Sequence, residues 1–147
     1  MENFILQKYS ILRKYIIYGL LGICLEIFWT GLESLLKNDY TMVGKTYIWM
    51  FFIYGLGAFL EPVHNKIRTY NILFRGIIYM LIIFCIEFIT GLILKHLIGV
   101  CPWHYRGAGS FYGIISLSFI PIWFCTGLLF EKVHDFLDKM SYNTNKG

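Results

Sequence analysis

The chain has 147 residues, of which 57% are hydrophobic and 15% charged, and a mean hydropathy of +0.60; soluble domains carry about a quarter charged residues. That balance excludes a water-soluble globule, and because four helical spans of about 20 residues fill most of such a chain, it leaves no room for a separate catalytic or nucleotide-binding domain. The formal charge of +4 comes without a stripe of basic and aromatic residues, so nucleic acid is not an expected partner.

Four apolar segments follow in order, at residues 15–36, 47–61, 76–98 and 111–130, and each reads as a transmembrane helix. The first follows Lys8, Arg13 and Lys14 as a signal peptide would, but it is too long, contains Glu26 and lacks a small-residue cleavage site. It is expected to remain as an anchor. In the fourth, Pro121 removes a backbone donor and predicts a kink. Before it runs Cys101-Pro102-Trp103-His104-Tyr105-Arg106-Gly107, an interfacial or re-entrant loop in which Pro102, Trp103 and Tyr105 anchor at the headgroups and Arg106 meets lipid phosphate or an anionic solute. Cys24, Cys85, Cys101 and Cys125 read as structural membrane thiols, not as a disulfide framework.

The cations sort by side. Lys8, Arg13, Lys14, Lys66, Arg68, Arg75, Lys132, Lys139 and Lys146 fall on one, and Lys37, Lys45, Lys95 and Arg106 on the other. Nine against four places both termini and the loop at 62–74 in the cytoplasm. The expected location is a cell membrane, of a bacterium, with membrane lipids as first partners.

Two internal repeats organise the chain. Cys24-Leu25-Glu26-Ile27 recurs as Cys85-Ile86-Glu87-Phe88, each followed by Thr-Gly-Leu, at Thr30-Gly31-Leu32 and Thr90-Gly91-Leu92. The stretch from Gly57 through Glu61 to His64 recurs from Gly127 through Glu131 to His134. The expected fold is therefore all-α: one four-helix transmembrane domain over 1–147, built as two parallel-repeat helical hairpins at about 15–66 and 76–137, related about an axis along the membrane normal.

With the repeats in view, a resemblance emerges. Glu87-Phe88-Ile89-Thr90-Gly91, the Cys101-Pro102-Trp103-x-Tyr105 motif, the helix of Glu26 and the segment from Ile122-Trp123-Phe124-Cys125 to Glu131 resemble the four-helix family called putative ABC-transporter type IV, which includes the transmembrane protein 229 group. The likeness covers about 15–137. It implies a permease-like membrane protein whose ATP use, if any, requires a separate ATPase subunit. His104 stands where the family pattern usually has an acidic residue.

Glu26 lies about 16 Å along its helix, and Glu87 has a similar position in its own, so both fall near the bilayer midplane. A carboxylate there must face protein or water. Gly19, Gly22, Glu26, Thr30 and Glu33 form one helical stripe, in which small residues permit close approach and polar ones bond across it; Glu87, Thr90 and Gly91 repeat the pattern. The expected binding residues are Glu26, Glu87, Thr30, Thr90 and Gly91 as an intramembrane polar site, the two acids meeting as a proton-sharing pair, with Trp103, His104, Tyr105 and Arg106 at an outer mouth. Glu61-x-x-His64 and Glu131-x-x-His134 have the ligand count of a di-metal carboxylate bundle. Their position at span ends reads instead as an interfacial cap with exposed histidines, and Cys101 with His104 is far from a closed zinc set, so neither metal nor cofactor is expected.

No Ser/His/Asp order, Gly-rich phosphate loop or HExxH occurs, so an enzyme is not expected. The reading is a small permease-like transport or solute- or ion-binding membrane component, completed as a homo-oligomer or by a partner membrane protein. The alternative is a noncatalytic membrane scaffold in which the glutamates are structural glue; an intramembrane enzyme acting on lipid ranks last.

Overall fold

A computed structural model describes the backbone of residues 2–144 and the side chains of residues 10–140; Lys8 and Lys146, counted among the cations above, lie outside the described side chains. The chain divides into two compact units, Met1–Leu60 and Glu61–Gly147.

In the first unit α1 spans Glu2–Leu36. It starts well before the apolar segment at 15–36 because no Gly or Pro interrupts the first eighteen residues. It ends where Asn38 turns left-handed (φ 64°), with the Asn38 amide donating to the Leu35 carbonyl at 3.0 Å and the Asp39 amide to that of Ser34 at 3.0 Å. This is a Schellman stop with asparagine in the place glycine usually takes. After an extended connection, α2 (Ile48–Gly55) packs antiparallel on α1: the Tyr15 hydroxyl donates to the Phe52 carbonyl at 2.9 Å near one end, and Thr30 meets Lys45 near the other. Close packing depends on glycine, since a Cβ at Gly22 would fall 2.2 Å from the Tyr54 ring and one at Gly55 2.6 Å from Tyr15.

The expected second span, 47–61, is not one continuous α-helix. After α2 the backbone tightens into a 3₁₀ stretch, Leu56–Leu60, and α-helix resumes in the second unit as α3 (Glu61–Ile67). Pro62 accounts for the break, because its ring clashes with the carbonyl four residues back and it has no N–H to offer, whereas in the first turn of a new helix it fits.

The second unit continues with α4 (Ile72–Ile98), opened by the Asn71 side chain, which accepts from the Phe74 amide, and closed by left-handed Gly99. Of the expected fourth span at 111–130, the first nine residues are not α-helical. β1 (Ser110–Phe111) pairs antiparallel with β2 (Ile115–Ser116) around Tyr112 and Gly113, both at positive φ (54° and 70°), as the type I′ turn of a tight hairpin requires. A 3₁₀ turn, Leu117–Phe119, leads into α5 (Ile120–Thr144). Pro121 therefore stands in the first turn of α5, where it starts the helix and does not kink its middle. The α4 and α5 helices pack antiparallel, with Glu87 meeting Trp123 near one end and Arg75 meeting Glu131 near the other, and glycine admits the contact: a Cβ at Gly76 would lie 2.2 Å from the Phe124 ring, and one at Gly127 2.3 Å from Tyr79 Cβ.

Among the described residues two helical segments are long and apolar enough to cross a membrane, Ser10–Leu36 and Ile72–Ile98. Both present large apolar side chains outward, including Leu20, Phe28 and Trp29 on α1 and Leu81, Ile89 and Ile93 on α4. Apolar surface on this scale suits contact with hydrocarbon.

Candidate functional site

Each unit holds one acid from the repeat. Glu87, buried at 6% exposure, has both carboxylate oxygens engaged: Oε1 accepts from the Tyr105 hydroxyl at 2.8 Å, and Oε2 from the Trp123 indole N–H at 3.2 Å. The two donors come from different elements, the connection before β1 and α5, and Phe119 spaces them. Its ring lies 5.0 Å from that of Tyr105 and stacks on Trp123 at 5.6 Å. The carboxylate is thus met by two donors fixed in an aromatic ladder.

The connection is held down on α4 one turn beyond Glu87. The Trp103 indole donates to the Ile114 carbonyl at 3.0 Å, the Tyr105 amide donates to the Gly113 carbonyl at 2.9 Å, and Gly91 leaves the space that Ile114 and Trp103 fill; a Cβ there would lie 2.4 Å from Ile114 Cγ2. Trp103 is therefore a buried plug (6% exposed), a correction to its expected place as an interfacial anchor. His104 and Arg106 are exposed, and the His104 ring lies across Gly113. Burial, followed by the nearby Glu87 carboxylate, pushes the Cys101 thiol up, which disfavours the thiolate that a metal or a nucleophilic role requires.

In the first unit, half-buried Glu26 accepts at Oε2 from the Thr46 hydroxyl at 2.8 Å and is hydrogen-bonded by Tyr54 as well. Gly22 admits the Tyr54 ring. The donors repeat the plan at Glu87, one from the connection after the acid's helix and one aromatic donor from the next helix, but the glycine sits one turn before Glu26 and one turn after Glu87. The threonines do not line these sites as expected. The Thr30 hydroxyl lies 2.9 Å from the Glu26 carbonyl and accepts the Lys45 amide at 2.8 Å, while Thr90 donates back to the Ile86 carbonyl at 2.6 Å. Thr30 stands four residues after its acid and Thr90 three, so the two hydroxyls leave the helix about 100° apart relative to the carboxylates. Glu33 pairs with Lys37 on its own helix at 2.7 Å.

Sequence reasoning passed over Thr46, Tyr54 and Trp123 as partners of the acids. Trp123 carried a signal, since it belongs to the family-like Ile122-Trp123-Phe124-Cys125 run; Thr46 and Tyr54 carried none beyond their chemistry.

A second polar cluster gathers where α3, α4 and α5 meet. His64 and His134, expected to be exposed, are buried at 3% and 5%. A carboxylate only accepts, so in the neutral ring His64 Nε2 donates to Asp135 Oδ1 at 3.3 Å and Nδ1 accepts the Tyr79 hydroxyl at 2.7 Å. Arg75 pairs with buried Glu131 at 3.0 Å and also donates to the carbonyls of Arg68 and Tyr70. Burial alone would raise Asp135, but the Arg68 guanidinium and the His64 hydrogen bond outweigh it and hold its carboxyl below the usual range.

Residues 14–146 match the profile of the family described as putative ABC-transporter type IV. No solved structure matches the chain.

Proposed function

Because the chain belongs to the putative ABC-transporter type IV family, we propose that it is a small permease-like component of a membrane transport or solute-binding assembly, in which the carboxylates of Glu26 and Glu87 are the polar sites of two duplicated helical hairpins. The observation that carries this reading is Glu87: a buried acid well inside a 27-residue apolar helix, met at both oxygens by positioned donors. An acid in such a segment is a functional group by default, because its insertion costs about 2.5–3.5 kcal/mol unless protein or water compensates it. The repetition of the arrangement at Glu26 supports a paired use in binding a cation or passing protons.

On this reading the chain crosses the membrane four times with both termini cytoplasmic. The segment from α2 to α3 forms the second span despite its 3₁₀ interruption, and the apolar half of α5 forms the fourth. Four helices enclose little volume, so a second copy or a partner membrane protein completes the site, and ATP use belongs to a separate subunit. Native mass spectrometry of protein extracted in nanodiscs tests this assembly. A homo-oligomer, or a complex with a second subunit at fixed stoichiometry, is expected; a lone monomer contradicts it.

One observation favours a second reading. Both oxygens of Glu87 are already met by Tyr105 and Trp123, so the acid also ties the connection and α5 to α4, as the glue of a noncatalytic scaffold would.

A further inference from the structure

The cluster at the start of α3 offers a chemistry that the glutamate sites do not. His134 and Asp138 stand one turn apart on α5, so both side chains leave the same face, and His134 Nε2 lies 3.2 Å from Asp138 Oδ2. Glu61, the first residue of α3, brings a third group: one ligand atom from each of Glu61, His134 and Asp138 lies within 4.8 Å of the other two. Pro62 follows Glu61 directly and restricts the backbone from which that carboxylate projects.

We propose that Glu61, His134 and Asp138 bind one divalent transition-metal ion. Zinc sits about 2.0–2.2 Å from nitrogen and oxygen donors, which in a tetrahedral arrangement stand about 3.3 Å apart. The His134–Asp138 pair, at 3.2 Å, already has that bite, and Glu61 offers a carboxylate oxygen within 4.8 Å of both. One imidazole and two carboxylates suit zinc, manganese or ferrous iron and not copper(I).

A second observation concerns how the imidazole is presented. His134 is buried, and its ring meets that of His64 edge to face, with centroids 4.7 Å apart. His64 is itself clamped by Tyr79 and Asp135, so the ring against which His134 rests is fixed. A divalent ion takes the His134 imidazole nitrogen together with the two carboxylate oxygens that lie beside it. Asp138, at 46% side-chain exposure, gives the entry path and leaves water to complete the coordination. The bound ion joins the start of α3 to α5.

The test uses the full chain in nanodiscs, stripped with chelator and titrated with zinc, and with cobalt(II) as an optical reporter. One ion per chain, a cobalt d–d band and a raised melting temperature are expected. Asp138→Asn, Glu61→Gln and His134→Gln each weaken binding by more than about tenfold, since even outer-shell changes cost that much, while His104→Gln leaves it unchanged. Asp138 is exposed, so its variant decides the matter even where His134→Gln fails to fold. Absence of stoichiometric metal from the native chain, or an unchanged affinity in Asp138→Asn, overturns the proposal.

Discussion

The Tyr105 hydroxyl donates to Glu87 Oε1 at 2.8 Å across eighteen residues of sequence, and this bond joins the connection before β1 to the acid of the second repeat. Tyr105→Phe leaves that oxygen without its donor, and a buried acceptor stranded in this way costs about 1–3 kcal/mol. Trp123→Phe strands the other oxygen at a similar cost. Thermal unfolding in nanodiscs measures both, and a double variant whose loss falls short of the sum is expected, because the two donors serve one carboxylate.

Gly22 and Gly91 hold space beside the two acids. Gly22→Ala places a Cβ 2.2 Å from the Tyr54 ring, and Gly91→Ala places one 2.4 Å from Ile114. Each is expected to destabilise by about 1–3 kcal/mol through overpacking. Gly31→Ala, where the nearest atom is the Met42 carbonyl oxygen at 3.1 Å, should cost less. A ranking of melting temperatures with Gly31→Ala lowest contradicts this packing.

The hairpin before α5 rests on Gly113, whose φ is +70° and whose Cβ, if present, would fall 2.3 Å from His104 Cε1. Gly113→Ala is therefore strained twice, by its backbone and by the ring. It should destabilise by about 1–3 kcal/mol, and His104→Ala in the same chain should recover the part due to the clash while leaving the part due to φ.

The turn after α1 should be acid-sensitive. Asp39 accepts from the Thr41 hydroxyl at 2.6 Å, the Ser34 hydroxyl at 2.8 Å and the Thr41 amide at 3.1 Å, and these bonds, led by that of the Thr41 side chain, hold its carboxyl below the usual range. A folded-state value below the unfolded one stabilises at pH above the ordinary carboxylate value, and that contribution is lost as pH falls through the depressed value. The protection factor of the Thr41 amide, measured by hydrogen exchange, should hold from neutrality to about pH 4 and drop below it. Asp39→Asn should remove that drop.

The two long apolar helices and the glycines at which helices approach closely were legible in the sequence because each is a local pattern. The breaks were not. Pro62 interrupts a run whose hydropathy remains that of a span, and the hairpin at Phe111-Tyr112-Gly113-Ile114-Ile115 is as apolar as a helix, so a hydropathy window cannot separate them; the Tyr112-Gly113 turn was the overlooked signal. Glu26 and Glu87 stood out because acids are rare in apolar helices, whereas their partners lie 18 to 36 residues away and only the packing identifies them. His64 and His134 were misjudged for a related reason. Their place at the end of an apolar run suggested solvent, but Tyr79, Asp135 and the facing imidazole supply the partners that make burial affordable.

The proposal that Glu26 and Glu87 do more than hold helices together is tested most directly by ion flux. The full chain, reconstituted in liposomes with a trapped pH-sensitive dye under an imposed potassium potential, is expected to pass protons. Glu87→Gln and Glu26→Gln are each expected to abolish that flux while the melting temperature stays within a few degrees of the native chain. Native-level flux in both variants, or loss of flux only in step with loss of fold, contradicts the account and leaves the acids as glue.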